Sequence, residues 1–148
     1  LLVCTPSHPM TSDADSARSL AEHVRYCQAH GVRSPHPVGC MLPLEGARSW
    51  DLSAYTHFYT QVSHRPGRDT ALYVRQAGRY LTLFHTGGYG TVAEGYRRVL
   101  DHAAARGLAL RGPFFEYPLL DELSVRGYEN YALLLSVGIS GAERASST

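Results

Sequence analysis

A chain of 148 residues, 44% of them hydrophobic, is long enough to bury a core and fits one domain. Its formal net charge of +1, with the arginines scattered, argues against nucleic-acid binding by this chain itself or attraction to an acidic membrane. Three cysteines without metal spacing, and no apolar run of membrane-span length, point to a reduced, cytoplasmic protein rather than a disulfide scaffold or a membrane anchor. Leu1–Thr5 reads as a strand closed by Pro6. Asp15 is expected to cap a helix running to about His30, with Ala17, Leu20, Val24 and Cys27 along its inward face and Gly31 as its stop. A strand is expected at Val38–Leu42, a loop carrying the sole tryptophan, Trp50, at Glu45–Leu52, and a strand at Ala54–Val62. Ser63–Thr70, with Pro66-Gly67, reads as a connection.

Leu72–Val74 and Arg79–His85 read as strands, the first of them short, and Gly87-Gly88-Tyr89-Gly90 as a turn. Thr91 and Glu94 fit a capping box for a helix that runs to about Arg106 and stops at Gly107. Val92, Tyr96, Val99, Leu100 and Ala103 should face inward. Phe114–Leu119 and Asn130–Ile139 are expected to close the fold. Residues 140–148 are small and polar and read as a flexible tail.

The chain also repeats. Residues 1–72 slide onto residues 77–148 without a gap, so that Gly31 meets Gly107, Pro37 meets Pro113, and Tyr55 meets Tyr131. Ala17 and Ala29 meet Ala93 and Ala105. Each copy reads as strand, helix, strand, strand, which predicts an α+β domain over about 1–139 with pseudo-twofold symmetry and a groove between the copies. Copy one spans about 1–72 and copy two about 77–139. Matched positions are explained by scaffold, so function is sought where the copies diverge: Cys40 corresponds to Glu116, and Ser53 to Glu129.

Strand alternation puts Phe114, Glu116 and Pro118 on one face and Phe115, Tyr117 and Leu119 on the other. Glu129, Tyr131, Leu133, Leu135 and Val137 form a row on the last strand. If the two strands pair, Glu116 can stand beside Glu129 and Tyr131. Such a group has three readings: carboxylates at a wet sheet edge, with Arg111 or Arg126 as partners; a counter-charge for a lipophilic cation; or an acid–base pair with separated pKa values. The eight histidines form no convincing metal set, although His85 ends a strand beside the glycine turn. That turn lacks the lysine and spacing of a phosphate loop, and no nucleophile motif appears. No metal or cofactor is expected.

The run from Arg79-Tyr80-Leu81-Thr82-Leu83-Phe84-His85-Thr86-Gly87-Gly88-Tyr89 through Gly112-Pro113-Phe114-Phe115-Glu116-Tyr117-Pro118 to Glu129-Asn130-Tyr131 resembles the GyrI-like effector-binding domain. That domain is the ligand-binding half of MerR-type multidrug-sensing transcription regulators. It also stands alone in DNA gyrase inhibitory proteins. The resemblance implies a duplicated fold with a central groove that takes lipophilic, often cationic and aromatic, compounds. Carried over residue by residue, it assigns Glu116 as the counter-charge, Glu129 and Tyr131 beside it, and Tyr89 and Tyr96 as further walls. The repeat adds Tyr55, and the loop above the groove adds Trp50. A regulator of this kind would bind DNA through a preceding domain and would be a homodimer. The chain opens on Leu1 without Met, so a longer parent is expected. A hydrolytic branch of the family, acting on strained cyclopropane-containing natural products, implies the alternative of catalysis by Glu116, Glu129 and Tyr131. Drug sequestration and gyrase binding are the remaining alternatives.

Overall fold

In the computed structural model, which describes residues 1–121 and 123–140, seven strands form one antiparallel sheet. The strands are β1 (Leu2–Pro6), β2 (Val38–Leu42), β3 (His57–Gln61), β4 (Leu72–Tyr73), β5 (Tyr80–Thr86), β6 (Leu110–Leu120) and β7 (Ala132–Ile139). The helices are α1 (Asp13–Ala29), α2 (Leu44–Arg48) and α3 (Val92–Ala105). Across the sheet the order is β4-β1-β3-β2-β6-β7-β5. Setting β4 aside, this order reads the same from either end once β1, β2 and β3 are equated with β5, β6 and β7. The α+β duplication is thus present in space.

The copies join through β2 and β6, where Cys40 lies opposite Glu116, Met41 opposite Phe115 and Leu42 opposite Phe114. Cys40 and Glu116 are the same position in the two copies, 76 residues apart. The pseudo-twofold axis therefore passes between them. Farther out the gapless alignment drifts. Cys40 faces Phe58 on its outer side while Glu116 faces Leu135, one residue out of step. The 3-10 turns before β3 and β7, Leu52–Ala54 and Tyr128–Asn130, still match at the offset of 76, so the drift lies in the strand pairing that follows them.

Both long helices pack on the face that carries Cys40, Phe58, Glu116 and Leu135. Val92, Tyr96 and Val99 of α3 bury themselves against Phe114, Leu135 and Val137, as the helical spacing predicts. Each such side chain contributes roughly 1.5–3 kcal/mol of transfer free energy. α1 behaves differently. Its cap is Ser12, whose hydroxyl accepts from the Asp15 backbone N–H, so Asp15 lies inside the helix and is not the cap. Its buried residues are Ser19 and His23, whereas Leu20 and Val24 are 40% and 39% exposed. The reason lies underneath: β1 and β3 present Thr5 and Thr60, and the His23 imidazole bridges their hydroxyls at 2.8 Å on each ring nitrogen. The helix turns a polar line inward because that line has partners there.

Two further expectations change. The stretch after β2 is not a plain loop. It holds α2 and a 3-10 turn at Leu52–Ala54, and Gly46 lets it settle, since a Cβ there would meet Leu42 and Ala54 at 3.1 and 3.2 Å. The Thr91–Glu94 capping box does not form. A 3-10 turn at Tyr89–Thr91 runs straight into α3, and the Thr91 hydroxyl points back to donate to the Gly87 carbonyl at 3.1 Å. The tail expected at 140–148 falls, from Gly141 onward, outside the described residues.

The sheet curls. β4 and β5 are its opposite edges, about 29 Å apart if the sheet were flat. Only Val74–Arg79 joins them, a reach of about 24 Å at full extension. The linker crosses the face without helices, which is therefore the concave one.

His23 gives a test of this packing. Burial pulls its pKa from 6.5 down to about 4, so the folded imidazole stays neutral where the unfolded one takes a proton. Its contribution is complete above pH 6.5 and is lost as pH falls toward 4, by up to about 3 kcal/mol. Urea unfolding at pH 7 and pH 5 should show a steeper loss for the natural chain than for His23→Gln. Parallel losses would mean that the imidazole is not held neutral by the fold.

Candidate functional site

Glu116 stands at the centre of β6, on the axis of the repeat, with its side chain 1% exposed. Its Oε2 accepts hydrogen bonds from the Tyr55 hydroxyl at 2.7 Å and the Tyr96 hydroxyl at 2.6 Å. Its Oε1 accepts from the Cys40 thiol at 3.5 Å. Each phenol has one proton, and both are aimed at Oε2, so the 3.1 Å between the two phenol oxygens is a contact rather than a further bond. On the opposite side of the sheet, Tyr59 donates to the Glu116 carbonyl at 3.1 Å. Gly39 makes this possible, because a Cβ there would collide with the Tyr59 ring.

These donors come from four different elements. Tyr55 closes the 3-10 turn after α2, Tyr96 lies in α3, Cys40 in β2 and Tyr59 in β3. Burial pushes the Glu116 carboxyl above its usual range. The hydrogen bonds from Tyr96, Tyr55 and Cys40, and the field of His85, oppose that shift without cancelling it. Burial, with the charge of Glu116, pushes Tyr55, Tyr96 and Cys40 upward as well. All three therefore remain protonated donors. Among the described residues no lysine or arginine pairs with the carboxylate. The site is a buried acid hydrogen-bonded by neutral groups and lying in the field of His85.

Of the residues singled out from sequence, the structure brings Glu116, Tyr55 and Tyr96 together. Cys40 joins them; the sequence distinguishes it only by its correspondence to Glu116 in the repeat. Glu129 does not stand beside Glu116. The residue opposite Glu116 on β7 is Leu135, and Glu129 lies before the strand, exposed, in the 3-10 turn. Its carboxylate folds back over Gly127, which has no side chain to obstruct it. Tyr131 is buried at the end of that turn, packed against Tyr89 and Tyr128 with ring centres 6.0 and 5.1 Å apart. Trp50, half exposed and at φ 59°, lies 5.2 Å beneath the Arg97 guanidinium of α3. It ties the α2 segment to the helix that carries Tyr96.

Two shallow clefts, of about 270 and 330 Å3, lie on either side of β1 near Pro6, away from Glu116. Neither gathers a comparable set of buried polar groups. The chemistry points to Glu116, around which the space is closed by Tyr55, Tyr96 and Phe114.

This geometry can be set beside known proteins. The chain is 29% identical over 119 residues to the multidrug-efflux transporter 2 regulator of Bacillus subtilis, a match covering 79% of the chain and 42% of that protein. The chain thus matches less than half the length of that relative. No protein-family model matches. An uncharacterized conserved protein from Listeria innocua superposes with a TM-score of 0.56 at 14% identity, covering 95% of the chain and 86% of that structure. A hydrolase from Listeria innocua superposes with a TM-score of 0.53 at 15% identity over the same shares. At this identity the likeness shows the fold alone. No helix among the described residues is long and apolar enough to cross a membrane.

The raised carboxyl pKa makes a stability prediction. The folded protein holds the Glu116 proton to higher pH than the unfolded chain, whose carboxyl titrates near 4.5. The contribution of this group is full below pH 4.5 and falls as pH rises past it. Glu116→Gln removes that slope and should raise the melting temperature of the ligand-free domain at pH 7 by a few degrees. A lower melting temperature in calorimetry would mean that the charged carboxylate supports the fold.

Proposed function

We propose that this chain is a small-molecule sensor domain of the GyrI-like kind, binding lipophilic aromatic cations at Glu116. The observation that carries this reading is the buried carboxylate that accepts from three neutral donors and, among the described residues, has no ion-pair partner. A lone acid in a low-dielectric, aromatic surround is poorly matched by its own protein and strongly matched by a cation that displaces a phenol. The similarity to a regulator of a multidrug-efflux transporter supports the same reading. In it the chain is the effector-binding part of a MerR-type transcription regulator, dimeric and joined to a DNA-binding domain. A ligand would act through its differential affinity for two arrangements of the site.

Entry requires that Tyr55 or Tyr96 leave Oε2. Tyr96 is fixed in α3, with 0% exposure. Tyr55 hangs from a five-residue helix and a single 3-10 turn, elements too short to be stable alone. The α2 side is the easier one to open. A hydrolytic use of the site would rest on Glu116 without the second carboxylate, because Glu129 lies outside it.

Titration with a lipophilic aromatic cation such as tetraphenylphosphonium should quench Trp50 or tyrosine fluorescence with a dissociation constant near the micromolar range, about −8 kcal/mol. Glu116→Gln should weaken that ligand by roughly 1–3 kcal/mol while leaving a neutral analogue of the same shape nearly unchanged. Equal losses for both ligands would remove Glu116 as the counter-charge. Conversion of a ring-strained electrophile by the natural chain but not by Glu116→Gln, followed by mass spectrometry, would replace the sensor with an enzyme.

A further inference from the structure

The concave face of the sheet carries charge of the opposite sign. Arg75, from the linker between β4 and β5, lays its guanidinium 4.1 Å over the Tyr80 ring and 4.5 Å over the Phe115 ring. Phe115 is itself surrounded by Tyr59, Tyr73 and Tyr80, with ring centres at 6.1, 5.9 and 6.4 Å. One N–H of Arg75 donates to Ser136 Oγ at 3.0 Å. A guanidinium has five donors in a flat fork, and the other N–H groups of Arg75 have no acceptor among the described residues.

Arg111 crosses the same face two residues farther along β7. A Cβ on Gly138 would stand 3.1 Å from Arg111 Cγ, and a Cβ on Gly78 would stand 2.7 Å from its terminal nitrogen. Glycine at both positions leaves the trough that this side chain occupies. Arg111 Nε donates to the Ile139 carbonyl at 3.3 Å, and its terminal N–H groups are unused among the described residues. Neither arginine has an ion-pair partner there; the pairs formed are His8 with Glu22 and Arg48 with Glu45. The side chains that the strands direct to this face include Tyr59, Tyr117, Thr82, Phe84 and Ser136, and no acid among the described residues.

We propose that the concave face is a second binding site, selective for aromatic oxyanions, in which Arg75 and Arg111 grip a carboxylate or phosphate and the tyrosine rings take the attached ring. One charge lies over Tyr80 and the other over Gly138, the cross-strand neighbour of Tyr80; both have spare donors and no counter-ion among the described residues, and an oxyanion offsets both. The stacked, half-buried guanidinium of Arg75 is held with its edge free, so little order is lost when it forms a two-pronged bond. The site lies across the sheet from Glu116 and does not depend on the reading given to that residue.

The test is a titration of the 15N-labelled chain with phenyl phosphate at low ionic strength, followed by NMR. Saturable shifts are expected at the Nε–H signals of Arg75 and Arg111 and at the Ser136 and Gly138 amides. Binding should weaken about tenfold in Arg75→Lys, which keeps the charge but loses the fork and the stacking. It should also weaken about tenfold in Arg111→Gln, an exposed position whose change leaves the fold intact, and should be unaltered in Glu116→Gln. Shifts that fail to saturate by about 10 mM would overturn the proposal, as would undiminished binding in Arg111→Gln.

Discussion

At the seam of β2 and β6 each residue of one copy meets the other copy, and on the axis a residue meets its own counterpart. A perfect repeat would place two identical side chains side by side between Tyr55 and Tyr96. Two glutamates there would be two carboxylates sharing one buried space, and one would be forced to keep its proton. Cys40 opposite Glu116 avoids this. The thiol is small, neutral and a weak donor, so it completes the surround of the acid rather than competing with it. The departure from symmetry at this one position lets the fold hold an uncompensated acid in its core.

The connections depart from symmetry as well. After β2 the chain makes α2 and seats Ala47 with no exposure against the core. At the matching position after β6 stands Leu123, 90% exposed. The first connection reaches across the axis and delivers Tyr55 to Glu116. The second turns back on its own copy, where Tyr128 and Tyr131 gather beside Tyr89. Each connection closes on a 3-10 turn ending in tyrosine, yet only one tyrosine serves the acid. The site is therefore built on one side of the axis, although the scaffold that carries it is twofold.

Much of this was legible in the sequence. The repeat gave the strand order its symmetry, the two-residue alternation put Phe114 and Glu116 on the buried face, and the spacing of Val92, Tyr96 and Val99 set the inner face of α3. The divergence of Cys40 from Glu116 marked the seam without revealing that the two residues touch. Other features depended on contacts that a linear pattern does not carry. Leu20 and Val24 obey helical spacing as well as Val99 does, but the strands beneath α1 offer hydroxyls, and His23 wins the inner position. Glu129 fits the two-residue row of β7, but the 3-10 turn at Tyr128–Asn130 takes it out of the strand before that row begins. No periodicity marks Arg75, which acquires its surroundings only because the short linker must cross the curled sheet.

That crossing gives β6 a double duty. Phe115 and Glu116 are neighbours on one strand and face opposite sides of a single sheet, one under a guanidinium and the other under two phenols. Their shared backbone is held on both flanks by ladder bonds. The sheet is thus a partition one residue thick, on which neighbouring side chains of a single strand serve surfaces of opposite charge.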